Sequence, residues 1–402
     1  MTDAARNKRT SWGLVVLLGS LTGMGALAID MYLPSMPAMG AELHASAGQR
    51  QATMAFFLVG TAIGQFFYGP ASDRWGRRPP VLLGVGIYVL ASVGCALAVS
   101  PQMLIGARFV QALGACGGGV VARAMVRDRF DHIESARMLS LMMLIMGVAP
   151  ILSPLFGGVL LIFGGWRLIF WCMALFGVLL GAAAFLRMQE SRSAETAARA
   201  RAVNPLRGYL ALLRQRRLIG YILAGALNGA ALFTYITSSP ELVIQIYHVP
   251  ATYFGLVFGV NGAGVIGASQ INRHLLRRHT PDQILAVASL VAVVAGLALF
   301  VAAASGWGGP LSVLPLLFAV LSSYSFVQGN TSAGALNVDP LRGGSTSALL
   351  GAAVFAAGAA ASGLVGVFHD GTPRPMAVVI LIAMSGAALS LHMLALPKRG
   401  RD

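Results

Sequence analysis

Charge is what this chain of 402 residues has least of: only 11% is Asp, Glu, Lys or Arg, and 14 residues are acids. Cysteine is scarce as well. Cys95, Cys116 and Cys172 stand alone inside apolar runs without C-x-x-C spacing, which excludes a disulfide framework and a zinc site. The seven histidines lie mainly in loops or at helix ends and form no metal-ligand cluster. No G-x-x-x-x-G-K-[ST] phosphate loop occurs, so ATP-driven transport within this chain is excluded. No apolar segment ends in the cluster of His, Asp, Glu or Cys that a membrane enzyme needs. The expectation is a non-enzyme without cofactor or metal.

What is present is apolar length. The chain is 56% hydrophobic with mean hydropathy +0.74. A bilayer span needs about 20 apolar residues, and twelve such runs fit, approximately 12–38, 51–70, 80–99, 101–124, 137–163, 166–187, 218–240, 251–272, 283–304, 310–336, 345–368 and 375–396. The fold expected is an all-α integral membrane protein. The first run follows Arg6, Lys8 and Arg9 and contains Ala26-Leu27-Ala28, a small-residue signal-cleavage pattern. It exceeds the length of a signal h-region and eleven spans follow, so it reads as an uncleaved first helix. The formal charge of +15 raises the question of a nucleic-acid partner. Its distribution decides otherwise: all but four of the 29 Lys+Arg fall in alternate loops and the termini. Arg50, Arg167 and Arg374 lie on the other side and Arg108 lies within a span. That asymmetry is the positive-inside rule, with both termini cytoplasmic.

The one long polar break, 188–217, follows the sixth span. It divides the chain into a six-helix bundle over 1–187, a cytoplasmic linker, and a second bundle over 218–402. Asn272 to Arg278, N-R-H-L-L-R-R, faintly echoes the loop after span 2, as a parallel repeat would. Gly114, Gly117, Gly118 and Gly119 in span 4, with Gly147, Gly157 and Gly158 in span 5, would let those two helices pack closely and slide.

Gly69 to Arg78 reads G-P-A-S-D-R-W-G-R-R, a ten-residue loop between apolar runs. It resembles the helix 2–3 loop signature G-x-x-x-D-R-x-G-R-R of the major facilitator superfamily. R-F-V-Q-A-L-G-A from Arg108 is similar to the helix 4 signature of proton-driven transporters, with Ala112 replacing a glycine. A-P-I-L-S-P-L-F-G-G (Ala149 to Gly158) is similar to the drug-antiporter helix 5 signature, with Ala149 and Ser153 replacing glycines. Within the superfamily the chain resembles the Bcr/CflA drug-resistance transporters. The residues that carry this are I-D-M-Y-L-P-S-M-P (Ile29 to Pro37), V-R-D-R-F (Val126 to Phe130), F-T-Y-I-T-S-S-P (Phe233 to Pro240), F-G-L-V-F-G-V-N (Phe254 to Asn261) and G-S-T-S-A-L-L-G (Gly344 to Gly351). The resemblance implies a major facilitator fold in the bacterial inner membrane, working as a monomer. It implies proton-coupled export of small amphipathic drugs by alternating access, with a small molecule, protons and the lipid bilayer as partners. A metabolite exporter of the same fold, for a nucleoside or a sugar, is the alternative.

Asp30 is the one acid inside an apolar run and Arg108 the one base. Intramembrane charges are costly and mark pathways, pairs or proton relays. Asp30 lies roughly 14 Å from the outer end of span 1 and Arg108 roughly 10 Å from the outer end of span 4, so both occupy one depth. They are the expected proton-coupling pair; a static Asp30–Arg108 ion pair, or Asp30 capping a helix broken before Pro34, is the structural alternative. Together they would leave the cavity near neutral and suited to neutral or weakly ionised amphipathic solutes. Tyr32, Gln65, Gln111, Asn228, Phe233, Tyr235, Asn261, Tyr324, Gln328 and Asn330 are candidate substrate-lining residues. Asp73 is expected to latch onto an arginine or helix N-terminus of the neighbouring half, with Gly69 and Gly76 freeing the turn. Arg74, Arg77 and Arg78 serve with it or only anchor topology. Pro150, Pro154, Gly157 and Gly158 are expected to kink span 5 as a hinge. Glu241 reads as a boundary residue at the end of span 7.

Overall fold

The computed structural model describes residues 12–130, 132–193, 197–198 and 205–396. The N-terminal cluster Arg6, Lys8 and Arg9 and part of the polar break lie outside the described residues. Among the described residues the secondary structure is helical throughout. Eleven helices are long and apolar enough to cross a bilayer. One of them, His132–Arg187, runs for 56 residues and breaks at Gly164 and Gly165, whose dihedrals are not helical. It supplies spans 5 and 6, which brings the crossings to twelve. Span 1 is Trp12–Asp30, span 2 Ala47–Trp75, span 3 Arg78–Ala96 and span 4 Pro101–Arg129. After the broken helix come span 7, Arg216–Pro240, span 8, Ala251–Leu275, and span 9, Pro281–Ser305. Spans 10, 11 and 12 are Pro310–Val338, Gly343–Val367 and Arg374–Ser390. Spans 1–6 and 7–12 form two six-helix bundles, and within the polar break a short helix covers Pro205–Leu212.

Helix starts follow from local chemistry. Ser46 Oγ accepts from the Gln49 amide at 3.2 Å while Gln49 Oε1 accepts from the Ser46 amide at 2.9 Å, a reciprocal cap that satisfies two orphan donors. Thr280 and Gln283 repeat it ahead of span 9. Ser100 Oγ caps span 4 through the Met103 amide at 3.2 Å. Span 1 ends at Asp30, and the chain continues as a 3-10 turn, Leu33–Ser35, and a short helix, Met36–Glu42. The break before Pro34 is therefore real.

The turn between spans 2 and 3 differs from the ten-residue loop expected. Span 2 stays helical through Pro70 to Trp75 and span 3 begins at Arg78, so the turn is Gly76 and Arg77 alone. Gly69 lies inside the helix with open space where a side chain would go, and it supplies no freedom to the turn. Gly76 does: its φ is +100°, and a Cβ there would sit 2.5 Å from a Glu190 carboxylate oxygen.

The glycines of span 4 also act differently from the expectation. A Cβ at Gly114 would lie 2.5 Å from the Tyr88 amide of span 3, and one at Gly118 would lie 2.5 Å from the Leu21 carbonyl of span 1. Gly117 lies against the Tyr68 ring of span 2. The glycines thus seat span 4 on three other helices rather than on span 5. Gly157 presses on the Met31 carbonyl and Gly158 faces Ala251 of span 8, whose carbonyl oxygen would lie 3.4 Å from a Cβ there. Span 5 keeps helical dihedrals through Pro150 and Pro154. Its hinge role is not visible as a backbone break, which falls at Gly164–Gly165 instead.

The helix ends and turns that follow spans 2, 4 and 8 hold Arg74, Arg77, Arg78, Arg127, Arg129, Arg273, Arg277 and Arg278, which defines a basic end of the molecule. At the opposite end the two bundles are bridged. Arg50 donates to Glu241 at 3.1 Å, His369 lies 3.3 Å from the same carboxylate, and Gln51 donates to the Thr237 carbonyl at 3.2 Å. Glu241 is thus a cross-bundle partner rather than a simple boundary residue.

Replacing Gly76 by Ala forces a left-handed dihedral on a residue with a side chain and drives a methyl group into Glu190. It is expected to cost about 1–3 kcal/mol and to lower the thermal unfolding midpoint in detergent. Gly69→Ala, in open helical space, should leave that midpoint unchanged. Equal midpoints for the two variants would refute the role given to the Gly76 turn.

Candidate functional site

The two intramembrane charges expected to pair do not. Arg108 is sealed inside the first bundle at 0% exposure. Its Nη1 donates to the Ala28 carbonyl at 2.9 Å and to Gln111 Oε1 at 2.7 Å. Its guanidinium lies 4.3 Å from the Phe57 ring centroid, 4.7 Å from Tyr32 and 5.8 Å from Phe170. Nη2 reaches Met54 sulfur at 3.3 Å, while Nε has no hydrogen-bond partner. Ring faces and one carbonyl take the place of an acid here. The reason is angular: Ala28 and Asp30 are two residues apart, about 200° around a helix. A helix that turns Ala28 towards Arg108 turns Asp30 away from it.

Two of the candidate lining residues belong to this sealed cluster. Tyr32 is fully buried and its hydroxyl lies 3.1 Å from Thr53 Oγ1. Gln111 is fully buried and donates to Ser92 Oγ at 2.8 Å. Both hold Arg108 in place.

Asp30 has the opposite surroundings. It is 4% exposed, and among the described residues its carboxylate has no hydrogen bond and no ion pair, so it is not a helix cap. Tyr235 of span 7 is close enough to feel its charge. Asn261 of span 8 donates to the Tyr235 hydroxyl at 2.8 Å, and the Tyr235 ring stacks on Phe258 at 5.6 Å. A free carboxylate from span 1 thus lies near Tyr235 of span 7 and its hydrogen-bond partner Asn261 of span 8, which belong to the other bundle.

A second cluster joins spans 7 and 10. Asn228 donates to the Tyr324 carbonyl at 3.1 Å and lies 3.4 Å from Gln328 Oε1. Phe233 packs on Phe355 at 5.3 Å and over Gly358, and Gln65 of span 2 lies against Gly351 of span 11. Asn330 is spent on Asn272 Oδ1 and the Phe326 carbonyl, both at 2.8 Å, and ties span 10 to span 8.

At the basic end, Arg77 organises the 2–3 turn. It is buried, pairs with Asp73, donates to Asp128 Oδ2 at 2.7 Å and to Ser72 Oγ at 2.8 Å. Glu190 accepts the amides of Arg77 at 2.9 Å and Arg78 at 3.2 Å. Burial pushes the Glu190 carboxyl up, but amides of Arg77, Arg192, Arg78 and Ser191 outweigh it and hold the group below the usual carboxylate range. Arg192 reaches back to the Arg74 carbonyl at 2.6 Å, and Arg78 donates to the Phe185 carbonyl at 2.6 Å. Asp73 therefore latches within its own bundle, onto Arg77, rather than onto the other one. Arg74 is exposed.

Sequence reasoning missed Arg123. It falls inside span 4, yet a base near a span end reads as a topology anchor. The signal was Gly119 one turn earlier, which leaves room for a long side chain to fold back along the helix.

These observations fit the comparisons with known proteins. Residues 18–362 match the profile of the Major Facilitator Superfamily, and the chain belongs to that family. It is 33% identical to the uncharacterized MFS-type transporter YdgK of Bacillus subtilis, over 97% of each chain. It is 29% identical to the bicyclomycin resistance protein homolog of Haemophilus influenzae, over 96% of each. The resemblance to Bcr/CflA-type transporters is borne out by that likeness. The fold matches the partially occluded, inward-open xylose transporter XylE of E. coli with TM-score 0.74 at 14% identity, covering 98% of this chain and all of that one.

Arg108→Ala removes two hydrogen bonds to a charged group and empties the ring cage, so it should lower unfolding stability by about 3 kcal/mol or more. Arg108→Lys keeps the charge without the planar fork and should fall between it and wild type. Thermal unfolding in detergent ranks the three, and a lysine variant as unstable as alanine would refute the cage. Asp73→Asn touches the turn and not the bundle junction. It should slow solute flux in proteoliposomes while equilibrium solute binding stays within about twofold. Affinity falling in step with flux would place Asp73 in binding instead.

Proposed function

We propose that this transporter is a proton-coupled antiporter that exports small amphipathic drugs, of the chloramphenicol or bicyclomycin kind, across the bacterial inner membrane by alternating access. It works as a monomer with the basic end and both termini in the cytoplasm, the orientation that the arginine distribution favours. The observation that carries the reading is the unpartnered Asp30 carboxylate at the bundle junction. A carboxylate with no fixed cation can exchange its proton as water reaches it from one side or the other, which is what proton–solute exchange requires. A static ion pair could not do so without first breaking. The name of the Haemophilus influenzae relative supports a drug substrate, and the aromatic and amide groups of spans 7, 8 and 10 supply an apolar wall with few polar points.

The test is proton release from everted vesicles of an efflux-deficient host on addition of chloramphenicol or bicyclomycin. Wild type should dissipate the pH gradient and protect the host from the same drugs. Asp30→Asn, at equal membrane abundance, should do neither. Protection that survives in the Asp30→Asn variant would sink the proton role, and the absence of a response to any compound in a broad drug panel would sink drug export.

A further inference from the structure

Arg123 is a half-buried cation with nothing to bind. Among the described residues, every other arginine that is buried or half-buried donates a hydrogen bond, whereas Arg123 makes neither a hydrogen bond nor an ion pair. The ionisable groups facing it are the Cys116 thiol and a second cation, Arg127. Withdrawing a guanidinium from water without a partner is unfavourable, and a protein retains one where a ligand supplies the missing acceptor.

The helix geometry says where it points. Gly114 packs against the backbone of span 3, and Arg123 follows nine residues later, about 180° around span 4. It therefore turns away from span 3. Its face lies between span 1, which touches Gly118 and Gly119 through Leu21 and Thr22, and span 2, which touches Cys116 through Gly64. Side chains on a helix lean towards its N-terminus, which in span 4 is the end away from the basic turns. Nη1 accordingly lies 3.9 Å from where a Cβ on Gly119 would be, so the guanidinium folds back over the glycine and inward. Thr22, beside it, is eight residues before Asp30 on span 1, so the two charges are on the order of 12 Å apart along the axis.

We propose that Arg123 is an anion subsite between spans 1 and 2 towards the basic end of the molecule, which adds amphipathic solutes carrying a carboxylate to the neutral ones. The planar guanidinium offers two parallel N–H groups matched to such an acceptor, and Gly119 keeps its approach free of side chain. This goes beyond the export reading, whose named drugs are neutral, by adding an anionic class of solute, and it rests on that reading. The test measures binding without a proton gradient, so its failure is distinguishable from a failure of export.

Full-length protein in detergent would be titrated by equilibrium dialysis with three probes that share one ring system: 2-naphthoate, its methyl ester and 2-naphthylmethylammonium. Wild type should bind naphthoate about tenfold or more tighter than the ester, the range expected for a hydrogen-bonded charge. Arg123→Ala and Arg123→Gln should bind naphthoate and ester equally, with ester affinity unchanged, while Arg123→Lys keeps part of the preference. Naphthoate binding no tighter than the ester in wild type, including no binding of either, overturns the proposal whether or not the variants fold. A preference that persists in Arg123→Ala or Arg123→Gln also overturns it.

Discussion

A guanidinium in hydrocarbon has to satisfy its N–H groups from whatever the neighbouring helices can offer, and the first bundle is assembled around that requirement at Arg108. Span 1 contributes the Ala28 carbonyl, span 4 its own Gln111, and the turn after span 1 together with spans 2 and 6 the rings of Tyr32, Phe57 and Phe170. Gln111 is in turn steadied by Ser92 of span 3. Span 1 comes within reach of Arg108 because Gly118 lets span 4 settle on the Leu21 backbone. This cation is held without an acid, and that independence is what leaves Asp30 free. Arg108 donates through both terminal nitrogens of its guanidinium, whereas the Asp30 carboxylate accepts from nothing among the described residues.

The sequence made the crossings legible because twelve apolar runs have no other use in a chain this poor in charge. Their ends were less legible. Span 2 outruns its expected boundary by five residues because helices project past the hydrocarbon, and Pro70 within it reads as a turn signal although the helix continues to Trp75. Depth was readable too, since rise per residue is fixed. Azimuth was not. Asp30 and Arg108 were matched by depth, and only the phase of span 1, fixed by packing against span 4, turns Ala28 rather than Asp30 inward. The same limit sorted the lining candidates: Tyr32 and Gln111 are polar residues at the right height on the wrong face, whereas Tyr235 and Asn261 meet near Asp30.

Charge has different work at the two ends. At the basic end many arginines are exposed and free to face headgroups. At the other end Arg50, Arg167 and Arg374 are each engaged, with Glu241, with Glu42 and with the Ala304 carbonyl. Cations that would oppose the charge asymmetry are there as staples. Arg50 and His369 share one carboxylate across the bundle junction, so any separation of the bundles at that end must first release Glu241.

The pinning of Glu190 and Arg192 to the 2–3 turn also sets a mechanical limit. The segment joining the bundles does not hang from the end of span 6, because its first residues are tied back to span 2 through the carbonyls of Asp73 and Arg74. Thirteen residues lead from Arg192 to the helix starting at Pro205. Even drawn taut, thirteen residues reach no more than about 45 Å. The 2–3 turn is thus a cleat as well as a bend. Loosening it would lengthen the leash between the halves without adding a residue.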